Sequence, residues 1–191
     1  PFYEKWLSMF KRCYDSKHKY SYLYTNTEVC EEWRKLSTFK KWFENQPYES
    51  DYVLDKDIVQ QGSDTYSPDT CRLIPKSLND LIQPNALRGK TTGINVRIYR
   101  NKSKGILYKT PRITMKCSHV SIDGTKTIIN KDYPTELEAH SAWRTAKSKF
   151  IELAVDEYWT KYPKLDSKLK EALLKRAKLL LDFSIPVESF Y

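Results

Sequence analysis

The sequence has no long apolar run, no CxxC pair and only three histidines, and each shortage closes off a class of function. Without roughly twenty consecutive apolar residues, no transmembrane helix is expected. The N-terminal residues show no signal-peptide pattern, so the expectation is a chain that is not secreted. Cysteines stand singly at 13, 30, 71 and 117, a spacing that argues against a structural zinc site. With 191 residues and an ordinary apolar fraction of 40%, the chain needs no disulfide framework. Reduced thiols and a cytoplasmic location follow as expectations. Internal repeats and low-complexity tracts are also missing.

One further scarcity is local. Residues 86–150 contain only 4 acidic side chains against 14 Lys and Arg, whereas residues 1–85 hold 13 against 12 and residues 151–191 hold 7 against 7. The formal net charge of +9 therefore resides entirely in the middle of the chain. A merely solvated surface would scatter its charges. Segregation of this kind predicts a binding face for an anionic partner, nucleic acid or membrane surface, with its strongest grip between Arg88 and Lys149.

Apolar spacing predicts a helix over 2–13 and a second from Glu28 to Phe43, with Val29, Trp33, Leu36, Phe39, Lys40 and Phe43 along one side. Their aromatic residues are expected in the core. Tyr52-Val53-Leu54 reads as a short strand and Gln61-Gly62-Ser63-Asp64 as a turn. Ser67-Pro68-Asp69 begins an extended piece that Cys71-Arg72-Leu73-Ile74 completes. Pro75 then opens a helix to about Ile82. After a polar linker, strands are expected at Gly93–Tyr99, Gly105–Met115 and, more weakly, Lys126–Ile129, with a turn at 101–105. Thr135, with Glu138 three residues on, forms a capping box for a long helix. Its apolar face is assigned to Leu137, His140, Ala142 at its margin, Trp143, Ala146, Phe150, Ile151, Ala154 and Tyr158. An amphipathic helix over about 167–181 closes the chain.

The stretch from Tyr52 to Asn79 carries a recognisable pattern: Leu54-Asp55-Lys56-Asp57-Ile58, then Tyr66-Ser67-Pro68, Thr70-Cys71, Ile74-Pro75 and Asn79. It resembles the HNH, or ββα-metal, nuclease motif, and especially bacteriophage HNH endonuclease-like proteins. Arg12-Cys13-Tyr14, the Val29-to-Trp33 segment with Phe39 and Trp42, and the late Glu136–His140 segment fit the same group. The resemblance implies a site in which a divalent ion, Mg²⁺ or Mn²⁺, stabilises the leaving oxygen of a cleaved phosphodiester. It places Asp55 and Asn79 as metal ligands. Lys56 stands where the family has its general-base His, Thr70 where it has the Asn that orients that base, and Asp57 beside them. Lysine is an ammonium at neutral pH and accepts no proton from water, although it can contact a phosphate. The competing reading of Lys56 and Asp57 is a solvated charge cluster. His18 and His119, both expected in loops, and His140, on the long helix, are not expected to replace the missing base.

The segment from Gly93 to about Tyr158 is similar to the three-stranded DNA-reading domain of plant ethylene-response factors. That resemblance implies double-stranded DNA as the partner, held by Arg88, Lys90, Arg97, Tyr99, Arg100, Lys102, Lys104, Lys109, Arg112 and Lys116. Arg97, Tyr99 and Arg112 are placed by alternation on one strand face.

The expected fold is therefore α+β. N-terminal helices and a ββα motif occupy residues 1–85. A basic three-stranded antiparallel sheet on a long helix occupies 86–160, and a C-terminal helix and tail 161–191. Three functions compete: a DNA-binding protein on a degenerate HNH scaffold, a Mg²⁺-dependent homing-type endonuclease, and an interaction protein that offers the C-terminal helix to a host or phage partner. No membrane partner is expected, the location would be the host cytoplasm for a phage-encoded chain, and the oligomeric state is open.

Overall fold

A computed structural model describes residues 1–191 except 20, 48, 83–92, 98–99, 102–105, 108–111, 164–165 and 185–191. The side chains of 97, 100, 101, 106 and 107 also lie outside the description. The fold is α+β and divides into two units, residues 1–79 with 165–172 and residues 80–164 with 173–191. Among the described residues no helix is long and apolar enough to cross a membrane.

The first unit is built on aromatic packing. Helix α1 (Phe2–Tyr14) turns Trp6, Met9, Phe10 and Cys13 toward a core of Val29, Trp33, Phe39, Phe43, Tyr52, Leu54, Tyr66, Cys71 and Leu73. Trp6 Nε1 donates to the Trp33 carbonyl at 2.7 Å, so the half-buried indole is satisfied. The expected helix over 28–43 is present only in its second half. Glu28–Val29 forms strand β1, a 3₁₀ turn covers Glu31–Arg34, and helix α2 runs from Leu36 to Glu44. The reason lies in pairing across the chain. β1 runs parallel to β3 (Thr65–Tyr66), and Glu28 N and Cys30 N donate to the carbonyls of Asp64 and Tyr66. Tertiary hydrogen bonds here outweigh a helical spacing of apolar residues.

Strand β2 (Tyr52–Asp55) pairs antiparallel with β4 (Arg72–Pro75), and helix α3 (Lys76–Ile82) follows directly. Pro75 ends the strand instead of opening the helix. Residues 67–70 form a turn, not an extended piece, because the Thr70 and Ser67 hydroxyls close on one another and on the local backbone. Arg72 anchors the start of helix α5 (Ser167–Leu180): its Nε donates to Asp166 Oδ2 at 2.5 Å, while Asp166 Oδ1 accepts from Lys168 N.

The second unit contains strands β5 (Ile94–Arg97), β8 (Arg112–Val120) and β9 (Lys126–Tyr133) in the order β5-β8-β9, all antiparallel. Between β5 and β8 stands a small hairpin of β6 (Arg100–Asn101) and β7 (Ile106–Leu107). Of the strand expected over 105–115, residues 106–107 and 112–115 are in strands, and 105 and 108–111 lie outside the described residues, as does most of the turn expected at 101–105. The strand expected to end at Ile129 instead runs to Tyr133. Helix α4 (Glu136–Lys161) packs beneath the sheet, its N-terminus capped by Thr135, whose hydroxyl accepts from Glu138 N at 3.2 Å. Leu137, assigned to its buried face, is 76% exposed because it lies in the first turn.

α4 is covered on more than one side. Trp143, Ala146, Phe150, Ile151, Ala154, Val155 and Tyr158 are buried, and so are Arg144, Lys147 and Ser148. Arg144 and Ser148 are buried because the second half of α5 lies along them, whereas Lys147 is buried beside Trp143 and Cys117. Ser148 Oγ donates to the Ala177 carbonyl at 2.8 Å, and Arg144 reaches the carbonyls of Leu179, Leu180 and Asp182. The apolar stripe of α5, Leu169, Leu173, Ala177 and Leu180, is itself buried.

Candidate nucleic-acid interface

Alternation along β8 sets two faces. Ile113, Met115, Cys117 and His119 are buried, whereas Arg112, Lys116 and Ser118 are exposed and Thr114 is half-buried. Every residue of β9 from Lys126 to Asp132 is exposed. The register places Thr114 opposite Asp132, Lys116 opposite Asn130, Ser118 opposite Ile128 and Val120 opposite Lys126. Directly opposed residues share a face. The outer face therefore combines Arg112, Lys116 and Lys126 with the hydroxyls and amides of Thr114, Ser118 and Asn130. On the β5 side Arg97 is in register with Arg112 and Asn95 with Thr114.

Asp132 organises one end of this face. It accepts from Arg112 Nε at 2.7 Å and Thr114 Oγ1 at 2.8 Å. The Thr114 hydroxyl, then the Arg112 guanidinium, hold its carboxyl below the usual carboxylate range. Arg112 is thus oriented on an exposed surface. Lys126, Asn130 and Asp132 were not among the residues anticipated for the interface. The signal for Lys126 is the alternation of the expected strand over 126–129, whereas Asn130 and Asp132 lie beyond its expected end.

Of the anticipated DNA contacts, Arg88, Lys90, Tyr99, Lys102, Lys104 and Lys109 lie outside the described residues. Arg97 and Arg100 are placed only by their backbone. Arg112 and Lys116 are exposed. Two cations of the basic segment are withdrawn from any ligand. Arg144, on α4, is buried against α5, and Lys147 is 3% exposed beside Trp143 and Cys117. Burial depresses the Lys147 pKa, with Cys117 acting weakly the other way.

His119 is a strand residue, not a loop residue. It is stacked on Phe150, and its Nε2 lies 3.3 Å from Glu157 Oε2, which also accepts from Ile122 N. His140 stacks on Trp143. Both imidazoles are thus part of the packing between sheet and helix.

In the first unit the ββα residues are close in sequence and tied together locally. Asp55 closes β2, is buried, and its Oδ1 accepts from the amides of Asp57 at 2.9 Å and Ile58 at 2.7 Å. Lys56 is buried, donating from Nζ to Asp57 Oδ1 at 2.7 Å and to the Ser63 carbonyl at 2.5 Å. It is a strut across the 56–63 loop, not a solvated charge. Thr70 donates to the Thr65 carbonyl at 2.7 Å. Asn79 lies on α3, half-buried. This donor set does not fit a divalent ion well. One Asp55 oxygen is already shared by two amides, an ammonium occupies the adjacent position, and the described residues contain no cluster of three His, Cys, Asp or Glu able to hold a metal.

No protein-family model, no curated protein and no solved structure matches the chain.

Proposed function

We propose that the chain binds double-stranded DNA through the outer face of the β5-β8-β9 sheet, and that its ββα segment is a degenerate HNH scaffold without a competent general base. The observation that carries the reading is the exposed row of Arg112, Lys116 and Lys126 on the side of the sheet away from α4. That row lies in a segment with 14 cations against 4 acids. Exposed Lys and Arg on a regular surface neutralise phosphates and release counterions, and Arg adds bidentate reading of guanine where it reaches a base edge.

Paired substitutions test the assignment of the face. Lys116→Ala should weaken duplex binding about equally for all sequences and lower the salt slope by about 1. Lys147→Met removes the same formal charge from a buried position. It should leave duplex affinity unchanged and not reduce stability, since an apolar chain replaces a desolvated amine. Fluorescence anisotropy with a labelled duplex reads both. Equal losses from the two variants would show that only net charge matters and would rule out the sheet face.

A second reading, a Mg²⁺- or Mn²⁺-dependent endonuclease using Asp55 and Asn79, draws support from the β2–β4–α3 order. It is tested by plasmid nicking with either metal, comparing wild type with Asp55→Ala and Asn79→Ala. The expected outcome is no metal-dependent nicking above background. Nicking by the wild type that both variants lose would establish the nuclease.

A further inference from the structure

Among the described residues, the first unit holds a cation that no carboxylate balances. Arg12 lies in the last turn of α1 and is half-buried. Its Nη1 donates to the Tyr66 hydroxyl at 3.0 Å and its Nη2 to Ser8 Oγ at 3.2 Å. The guanidinium carbon stands 5.9 Å from the Tyr24 ring centroid and 6.0 Å from that of Tyr66. Among the described residues no carboxylate comes within ion-pair distance of it. Arg72 offers the contrast: in the same unit it is closed by Asp166.

The neighbouring acids cannot supply the missing charge. Burial pushes the Tyr66 phenol far up. Burial also pushes the Cys13 thiol up to about 11, against the pull of Arg12 and Lys56, so both groups are neutral at pH 7. Arg12 itself stays charged: burial works against it, but the Tyr66 and Tyr24 hydroxyls outweigh that and hold its pKa above the ordinary value. A guanidinium carries five N–H donors, and its partners here, the hydroxyls of Ser8, Tyr24 and Tyr66, are neutral groups that supply no counter-charge. A partly buried ion without a counter-charge is costly unless something completes it.

We propose that Arg12, together with the Ser8, Tyr24 and Tyr66 hydroxyls, is an anion-binding site for a phosphoryl group. A tetrahedral oxyanion suits a guanidinium combined with hydroxyls that can rotate to donate. The preference for phosphoryl over carboxylate rests on the DNA-binding reading. The existence of an anion site does not. The site lies outside the basic segment, in a unit whose own charge is close to balanced.

The test is an NMR titration of the full chain with inorganic phosphate at constant ionic strength, following Arg12 Nε–Hε and the Tyr24 and Tyr66 rings. Saturable shifts at these groups are expected, lost in Arg12→Gln and weakened at least tenfold in Arg12→Lys. No saturable shift at these groups in the wild type, up to tens of millimolar phosphate, would overturn the site. So would shifts that persist in a folded Arg12→Gln. Should Arg12→Gln fail to fold, the wild-type titration together with Ser8→Ala decides. A second arm separates two sources of the phosphoryl group, each consistent with the site. The same shifts with a blunt duplex lacking terminal phosphates identify the internal backbone, and shifts only with free phosphate or a 5′-phosphorylated duplex identify a phosphomonoester. Loss of duplex binding at the sheet face leaves the phosphate result intact, so the two readings fail separately.

Discussion

Replacing Gly93 with alanine should unfold or severely loosen the sheet-and-helix unit. Gly93 precedes β5 with φ of +79°, a left-handed conformation that alone costs an L-residue about 1–3 kcal/mol. Space adds a larger penalty. A Cβ at this position would stand within the Trp143 indole, against Cδ1, Nε1 and Cγ. Trp143 is 1% exposed and cannot swing into solvent without emptying the core between α4 and the sheet. Losing the packing of a buried Trp costs about 3–5 kcal/mol, so the sum approaches the whole stability of a small unit. Gly124 supplies the control. It has φ of +87° in the turn between β8 and β9, but open space where its Cβ would be. Gly124→Ala should therefore show the backbone cost alone. Hydrogen exchange checks both: protection in β5, β8 and α4 should collapse for Gly93→Ala and persist for Gly124→Ala.

Arg144→Ala should release the C-terminal end of α5 from α4. The Arg144 guanidinium donates to the Leu180 carbonyl at 2.7 Å, to Leu179 at 3.3 Å and to Asp182 at 2.5 Å, and lies over the Phe183 ring. Helix C-termini leave carbonyls without intrahelical partners, and here one buried cation serves them and complements the dipole. Hydrogen bonds to charged groups contribute roughly 1.5–3 kcal/mol each and are not additive, so a loss of about 3–4 kcal/mol is expected. For a unit of this size that lowers the melting temperature by on the order of 10–20 °C. Calorimetry measures the shift. Arg144→Lys should recover only part of it, because one ammonium cannot span three carbonyls. A melting temperature within a few degrees of wild type for Arg144→Ala would contradict the anchoring role.

Arg144 also shows where sequence reading stops. On a helical wheel it sits with Ser148 away from the Trp143–Phe150 stripe, and an isolated helix would turn these two side chains to water. They are buried because α5 covers that side, which no local pattern announces. The same limit explains β1: the apolar spacing of Val29 and Trp33 is helical, but a parallel pairing with a segment about 37 residues away decides the backbone. Elements fixed by local chemistry were legible. The Thr135 cap, the turn at Gly62 with φ of +67°, and the strand, turn, strand, helix order from Tyr52 to Ile82 all follow from nearby residues.

The candidate site was legible in its charge and only partly in its residues. Arg112 and Lys116 could be placed by alternation on β8. Lys126, which opens the expected strand over 126–129, could have been placed the same way; Asp132 could not, because β9 continues beyond its last β-branched residue, Ile129, through Asn130, Lys131 and Asp132, which have low strand propensity. In the ββα segment the sequence marks Lys56 as a departure from a nuclease. What it does not reveal is that the ammonium is buried against Asp57 and the Ser63 carbonyl, because that carbonyl belongs to a loop whose path is set by the turn at Gly62.

The most direct measurement is the affinity of the full chain for a random-sequence duplex as monovalent salt is raised. With about five phosphates contacted, the logarithm of the binding constant should fall linearly against that of salt, with a slope near −4.5. Lys116→Ala should make that slope shallower by about one. Binding that does not change with salt, or no binding at low salt, would contradict DNA recognition by the basic sheet.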